Sequence, residues 1–130
     1  MNAPLEARRI FAMALKDWRA LQGMTDPEAF ADEIVGFHGQ QAIEKALKAW
    51  IASMGGEYPH THDLGRLLLS LETLGADVAR FRSLAAYSAY GVQFRYEAFE
   101  EDDEEPLDRG QVLRDIQPLI RAVETLFLEA

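Results

Sequence analysis

Cysteine is absent from the 130-residue chain, and long apolar runs are missing as well. Without cysteine, disulfide frameworks, zinc–thiolate sites and cysteine nucleophiles are excluded, and nothing indicates an oxidising compartment. No stretch reaches the roughly 18 uncharged apolar residues of a membrane-spanning helix. The N-terminal stretch contains Glu6, Arg8 and Arg9, which is unlike the core of a signal peptide. We therefore expect a cytoplasmic protein that neither crosses nor enters a membrane.

Basic residues are scarce: Lys and Arg number 13 against 22 acidic residues, which gives a formal net charge of −9. A chain this negative repels polyanions at long range, so we expect no strong nucleic-acid binding. The charge is nevertheless uneven along the chain. Residues 78–96 contain three arginines and no acid, whereas residues 97–108 contain eight acids and no base. This distribution leaves room for a local basic patch next to an acidic segment.

Strand-type alternation, internal repeats and Ser/Gly linkers are also missing. Apolar residues recur instead at helical spacing along the chain. With 48% hydrophobic residues, a chain of this length can bury a core of its own. We therefore predict an all-α protein, an antiparallel up-and-down bundle of four to five helices, with residues 1–130 forming a single domain.

The first two helices are predicted from their start signals. Apolar spacing places the first over Pro4–Leu21, with Asn2 as a candidate cap and Pro4 in the first turn. Asp26 before Pro27 is a strong start signal, because aspartate caps the free amides and proline suits the first helical position. We predict that the second helix begins there and continues to about Met54, where two glycines end it.

Two further helices are predicted in the middle of the chain. Thr61 or Asp63 can cap a third helix, which carries a row of leucines and ends before Gly75. A fourth helix is predicted over residues 77–94, with aromatic side chains at helical spacing. The short loops between these helices favour antiparallel neighbours.

The C-terminal part combines an acidic segment with a final helix. Residues 97–105 are mostly acidic, and their like charges repel one another. Because the segment has no apolar face whose burial could offset the entropy cost of ordering, we predict an exposed loop. Pro106 or Asp108 then begins the last helix. Pro118 lies inside its apolar pattern and predicts a kink or two abutting segments.

Small residues form one stripe of the predicted second helix, and bulky residues lie beside it. The small members recur at alternating intervals of three and four, so another helix can approach closely there. They are Gly39, Ala42, Ala46, Ala49 and Ser53, and the bulky stripe is Ile43, Leu47, Trp50 and Met54. The pattern predicts a tight contact between helices.

Histidine is rare, with three in the chain, and one of them begins a polar row. His38, Gln41 and Lys45 have helical spacing that places them on one face of the second helix. Such a row is commonly a solvated, hydrogen-bonded surface. The functional alternative is that Gln41 and Lys45 contact an anion or a nucleotide, with His38 beside them.

His60, His62 and Asp63 are a weak signal for a metal site. Two loop histidines and one carboxylate lack the ligand number that such sites need, and Asp63 is better explained as a partner of the third helix's N-terminus. The acidic run has no calcium-loop spacing. We therefore expect no metal and no cofactor.

Aromatic residues accompany the arginines of residues 78–96. Aromatics at helical spacing are usually core, which we expect for Tyr87 and Phe94. Tyr90, Arg95 and Tyr96 are better candidates for a surface role, in which rings stack on bases and arginine holds phosphate. The chain contains no phosphate-loop glycine motif and no nucleophile elbow, so we assign no catalytic residue.

The stretch Phe37–Ala49, which reads FHGQQAIEKALKA, closely resembles the signature of the HEPN domain, a prokaryotic helical family often encoded beside minimal nucleotidyltransferases. His60–Leu64 resembles the family's entry to its third helix, and Phe94-Arg95-Tyr96 resembles its Arg-Tyr element. The resemblance spans roughly residues 5–128. It implies a bundle of four or five helices, commonly a homodimer, with a polar groove near the dimer axis.

Many members of the wider HEPN family are metal-independent ribonucleases, in which an arginine is followed a few residues later by a histidine. No histidine here follows an arginine at that spacing, and none follows Arg95. Imidazole is a natural proton shuttle and arginine a natural phosphate clamp, so the known chemistry depends on this pairing. The resemblance therefore points to the non-catalytic branch.

Three functional hypotheses follow. The leading one is a homodimeric HEPN-like module that binds a nucleotide or a nucleotide-bearing partner, such as a nucleotidyltransferase in a toxin–antitoxin type of system. Its candidate contacts are His38, Gln41, Lys45, Arg95 and Tyr96. The second is a divergent ribonuclease that uses His38 or His62 with Arg95 or Arg66. The third is an antitoxin-like protein whose acidic residues 97–108 cover a basic surface on a partner.

Overall fold

The structure, a computed structural model, describes residues 4–91 and 106–129. All regular secondary structure in this part of the chain is helical, which confirms the predicted all-α class. The α-helices are α1 (Leu5–Gly23), α2 (Asp32–Ser53), α3 (Leu64–Thr73) and α4 (Arg109–Glu129), and a 3-10 helix (Ala79–Tyr90) lies between α3 and α4 in the chain. Because α2 packs against every one of the others, it forms the centre of the bundle.

The helix α1 shows how apolar spacing builds the core. Its buried positions recur every three or four residues and form one face, which packs mainly against α2. They are Ala7, Phe11, Ala14, Trp18 and Leu21. The helix continues to Gly23, slightly beyond the predicted end, and Pro4 directly precedes the first turn instead of lying in it. Asn2, the candidate cap, lies outside the described residues.

The predicted start of the second helix at Asp26 is wrong. The Asp26 carboxylate does accept a hydrogen bond from the Glu28 amide at 2.9 Å, but a single turn follows, and α2 begins at Asp32. Arg109 of α4 explains the interruption, since its guanidinium donates to the Phe30 carbonyl oxygen and to the Asp32 carboxylate. The Phe30 carbonyl therefore bonds to Arg109 and not to the amide of a continuing helix.

The small-residue stripe of α2 is buried from Gly39 to Ala49, in agreement with its spacing, and Ser53 at the end of the helix is half-buried. The three alanines of the stripe have no exposed surface. At Gly39 a Cβ atom would lie 3.2 Å from Ile116 of α4, so glycine allows the two helices to approach closely. The bulky stripe is buried as far as Trp50, whereas Met54 after the last turn is 41% exposed.

Local signals place the ends of α3 correctly. Asp63 caps the helix, because its carboxylate accepts a hydrogen bond from the Gly65 amide at 3.0 Å, and this decides between the two predicted start residues. Gly55 after α2 and Gly75 after α3 have positive φ angles of 79° and 95°. Glycine adopts this conformation without the steric cost that a side chain brings, so both helix ends depend on it.

The predicted fourth helix is present over Ala79–Tyr90, and it is a 3-10 helix. Most of its residues that pack against the core recur every three residues. They are Val78, Phe81, Leu84 and Tyr87, and Ala85 packs beside them. A 3-10 helix has about three residues per turn, so this spacing gives it one continuous inner face. Phe94 lies outside the described residues, as does the predicted acidic loop.

The helix α4 begins directly after its cap, Asp108, whose carboxylate accepts a hydrogen bond from the Gln111 amide at 3.0 Å. Pro118 lies on the exposed side of one continuous helix, so the predicted alternative of two abutting segments is wrong. Proline removes a backbone hydrogen bond, but Ile116 and Leu119 on either side of it remain buried, and their packing holds the helix together. Neither α4 nor any other described helix is both long and apolar enough to span a membrane.

Candidate functional site

Two rows of polar side chains run along α2. One is the predicted row of His38, Gln41 and Lys45. The other has intervals of four residues and consists of Gln40, Glu44 and Lys48. The first row meets Asp17 of α1, and the second meets His62 in the loop before α3. Each row therefore ties the central helix to another part of the fold.

Asp17 joins His38 to Lys45, and we call these three residues the Asp17 bridge. One oxygen of the Asp17 carboxylate lies 3.1 Å from His38 Nδ1, and the other lies 2.6 Å from Lys45 Nζ. The side chains of His38 and Lys45 are 29% and 23% exposed, so water and ligands can reach them. Because the carboxylate offsets the lysine charge, Lys45 is a positioned hydrogen-bond donor more than an isolated cation.

Gln41 belongs to the first row and links it to the second. Its side-chain amide donates to Gln40 Oε1 at 2.7 Å. Gln40 is fully buried, and its own amide donates to Glu44 at 2.8 Å. The orientation of the half-buried Gln41 is therefore set by buried groups, which is the support that a binding side chain needs.

Glu44, Gln40, Lys48 and His62 form a second group, which we call the Glu44 cluster. Lys48 Nζ lies 2.9 Å from one oxygen of Glu44, and His62 Nδ1 lies 2.8 Å from the other. Gln40 donates to the oxygen that faces His62 and, at 3.4 Å, to the His62 carbonyl. Glu44 is 5% exposed, and a buried charge is tolerated here because every oxygen has a partner.

Burial and hydrogen bonding act in opposite directions on the pKa of Glu44. Burial raises it, because the charged form loses contact with water. The hydrogen bonds from Lys48, His62 and Gln40 favour the charged form and together outweigh burial, so the pKa of Glu44 lies below its ordinary value of 4.5. The carboxylate is therefore ionised at neutral pH and attracts both of its basic neighbours.

The histidines of the loop before α3 have different neighbours. His62 contacts Glu44, whereas the His60 ring lies 6.1 Å from the Tyr58 ring. Arg66, the arginine of the ribonuclease hypothesis, lines a separate groove beside Tyr58. Across residues 4–91 and 106–129 no group of three His, Asp or Glu side chains is placed to hold a metal ion. The described contacts thus pair the exposed imidazole of His62 with a carboxylate.

The aromatic residues of the 3-10 helix pack near α2 and α4. Tyr87 is partly buried against the core, and its hydroxyl donates to Asp115 of α4 at 2.9 Å. Burial, and then this carboxylate, raise the pKa of Tyr87, so the phenol keeps its proton. The Tyr90 ring lies against Gly36, at a place where any Cβ atom would overlap it. Arg95 and Tyr96, two of the predicted contacts, lie outside the described residues.

Sequence reasoning missed four residues of these groups: Asp17, Gln40, Glu44 and Lys48. For the last three a signal was available, because intervals of four residues place them on one helix face. For Asp17 there was none. Its partners are 21 and 28 residues away on another helix, and no local spacing relates them.

A family model described as the HEPN domain matches residues 7–126. The matched range contains both the Asp17 bridge and the Glu44 cluster. The search of curated proteins found no match, and neither did the search of solved structures.

Proposed function

The chain belongs to the HEPN domain family, and from this premise we propose that it is a homodimeric binding module for a nucleotide or a nucleotide-bearing protein partner. The proposed protein partner is a nucleotidyltransferase, in a two-component system of the toxin–antitoxin type. The proposed contacts are His38, Gln41 and Lys45, together with Arg95 and Tyr96 outside the described residues.

The arrangement around Gln41 carries this proposal. A half-buried amide lies between the Asp17 bridge and the Glu44 cluster, so donors and acceptors occupy fixed positions on one face of α2. A few fixed polar groups are the usual means by which a protein orients a small ligand. Because Lys45 is already held by Asp17, less side-chain entropy is lost when a ligand binds to it.

The neighbours of the histidines favour binding over ribonuclease chemistry. His38 contacts Asp17 and His62 contacts Glu44, whereas the ribonucleases of the wider family combine histidine with arginine. The net charge of −9 also opposes RNA at long range.

Calorimetric titration with ATP and the other nucleoside triphosphates tests the nucleotide part of the proposal. Lys45→Ala removes a charge-assisted hydrogen bond, so we expect it to weaken nucleotide binding about tenfold. Lys16→Ala is the matched control, because it removes the same charge from the exposed side of α1. We expect this control to bind like the wild type.

Lys45 also ties α2 to α1, so thermal unfolding of each variant has to accompany the titrations. A folded Lys45→Ala variant with wild-type affinity would contradict the assignment of Lys45. If the wild type binds no nucleotide, the nucleotide part of the proposal is wrong, and co-purification with a nucleotidyltransferase tests the partner. Light scattering tests the homodimer, which requires twice the chain mass of 14.6 kDa.

One contact favours the ribonuclease alternative. The His62 side chain is 58% exposed, and the buried Glu44 orients it, as a carboxylate orients a general base in hydrolases. Cleavage of RNA that is lost in His62→Ala and kept in His60→Ala would support this function. Intact RNA after incubation with the purified wild type would exclude it.

A further inference from the structure

Four surface grooves with volumes from about 330 to about 480 Å³ differ in the charge of their walls. Three of them include a carboxylate, from Glu72, Glu57 or Asp115. The fourth lies between the 3-10 helix and α4 and contains two arginines without an acid; we call it the two-arginine groove. Its walls are Arg80, Gln117, Pro118, Arg121, Ala122 and Thr125.

Neither arginine of this groove forms an ion pair within the part of the chain that the structure describes. Arg82, two positions along the same 3-10 helix, does form one, with Glu72 at 3.0 Å. The Arg80 guanidinium lies over the Phe81 ring at 4.6 Å, and Phe81 is 2% exposed, so a core residue supports it. Although acidic residues outnumber basic ones by 22 to 13, these two cations share a groove without one.

We propose that the two-arginine groove binds the phosphoryl group of a small phosphorylated molecule. Guanidinium groups form paired, charge-assisted hydrogen bonds with phosphate oxygens, and two of them can hold one phosphoryl group together. The Gln117 amide on the same wall supplies further donors. Thr125 does not, because its hydroxyl already donates to the Arg121 carbonyl at 2.9 Å.

The size and charge of the groove select a small molecule over a polyanion. Its volume of about 350 Å³ lies at the lower end of the range of about 300 to 1,000 Å³ for small-molecule sites. Pro118 and Ala122 add a short apolar wall for the part of the ligand beyond the phosphate. The net charge of −9 repels a long polyanion, whereas a small anion responds mainly to the local field of the two arginines.

The two-arginine groove is separate from the contacts proposed on α2. It is formed by the 3-10 helix and α4 and shares no residue with the Asp17 bridge or the Glu44 cluster. The phosphoryl site can therefore be confirmed or excluded independently of whether Lys45 contacts a nucleotide. Lys45→Ala should leave phosphate binding in this groove unchanged.

Calorimetric titration of the full chain with inorganic pyrophosphate and with AMP tests the proposal. Arg80→Ala and Arg121→Ala should each weaken binding of these probes about tenfold or more. Arg82→Ala is the matched control, since it removes an arginine from the same helix, outside the groove. All three side chains are exposed, so the variants should fold, and thermal unfolding checks this.

Loss of binding in Arg80→Ala and Arg121→Ala with retention in Arg82→Ala would support the site. Tighter binding of AMP would then identify an organic phosphate as the ligand, and equal or tighter binding of pyrophosphate would identify free phosphate; both results support a phosphoryl site. Three results would overturn it: a wild type that binds neither probe, an equal loss in Arg82→Ala, or tighter binding of a short single-stranded RNA.

Discussion

Asp17 and Glu44 each hold one histidine and one lysine, but their surroundings differ. Asp17 reaches from α1 to α2, and its partners His38 and Lys45 remain 29% and 23% exposed. The Glu44 side chain is 6% exposed, and it also accepts a hydrogen bond from the fully buried Gln40. The Asp17 side chain itself is 14% exposed, so the same kinds of charged group form a half-buried tie in one region and a more deeply buried cluster in the other.

Because of this difference in burial, we expect the two groups to contribute unequally to the stability of the fold and to ligand binding. A buried ion pair that loses one partner leaves a charge without compensation, which costs roughly 3–5 kcal/mol. A half-buried pair is partly screened by water, so its contribution falls towards the roughly 0–1 kcal/mol of exposed pairs. We therefore expect the Glu44 cluster to act mainly on folding and the Asp17 bridge mainly on binding.

Glu44→Ala tests the buried side of the comparison and should have the largest effect. The variant leaves Lys48 and Gln40 without their shared acceptor, so we expect the free energy of unfolding to fall by about 3 kcal/mol in urea titrations. Glu72→Ala is the control, because its ion pair with Arg82 is exposed and its loss should cost about 0.5 kcal/mol. Equal losses in the two variants would remove the distinction between buried and exposed carboxylates.

Acid titration isolates the charge of Glu44. Its folded-state pKa lies below the ordinary value of 4.5, so ionised Glu44 stabilises the fold fully above that value, and this stability is lost as the pH falls through the folded pKa. The difference in free energy of unfolding between the wild type and Glu44→Gln should be constant near neutral pH and shrink below pH 4.5. A difference that stays constant throughout the acid range would show that charge is not the cause.

Asp17→Asn tests the less deeply buried carboxylate of the comparison. It keeps the shape of the side chain and removes the charge between His38 and Lys45, so we expect a loss of about 1 kcal/mol in the free energy of unfolding. Glu28→Gln, on the exposed turn before α2, is the control and should leave stability within about 0.5 kcal/mol of the wild type. A loss as large as that of Glu44→Ala would place both carboxylates in one class.

Of the four variants at these two groups, His62→Ala should lower the free energy of unfolding least. The imidazole is 58% exposed, and Glu44 keeps Lys48 and Gln40 without it, so we expect a loss of about 0.5–1 kcal/mol in thermal unfolding. His60→Ala in the same loop is the control and should change stability by less than about 0.5 kcal/mol. If His62→Ala were as unstable as Glu44→Ala, the histidine and not the lysine would be the main partner of the buried carboxylate.

The helix ends show where local rules were sufficient. Asp63 caps α3, and Gly55 and Gly75 end α2 and α3, because side-chain caps and positive φ angles depend on neighbouring residues alone. At the start of α2, in contrast, the local signal gave the wrong position. Asp26 carried the stronger local signal, but Arg109 binds Asp32 from 77 residues further along the chain and takes the carbonyl that the predicted helix would have used.

For the candidate site, too, the sequence predicted the neighbours on one helix but not their partners from other elements. Helical spacing was enough to single out His38 and Lys45 as neighbours, since both lie on α2. The carboxylate between them comes from α1, and the histidine of the Glu44 cluster comes from a loop. The two-arginine groove likewise joins Arg80 and Arg121 from different helices, so no motif in the chain announces it.

By itself, the sequence determined the all-helical class, the acidic charge and the resemblance to the HEPN family, because each depends on composition, period or a contiguous motif. Only the tertiary structure decided where α2 begins, that the fourth helix is of the 3-10 type, and which carboxylate each histidine and lysine contacts. Contacts between distant residues are worth about 1 kcal/mol each, as much as a helix cap, so they can override or complete the local signals.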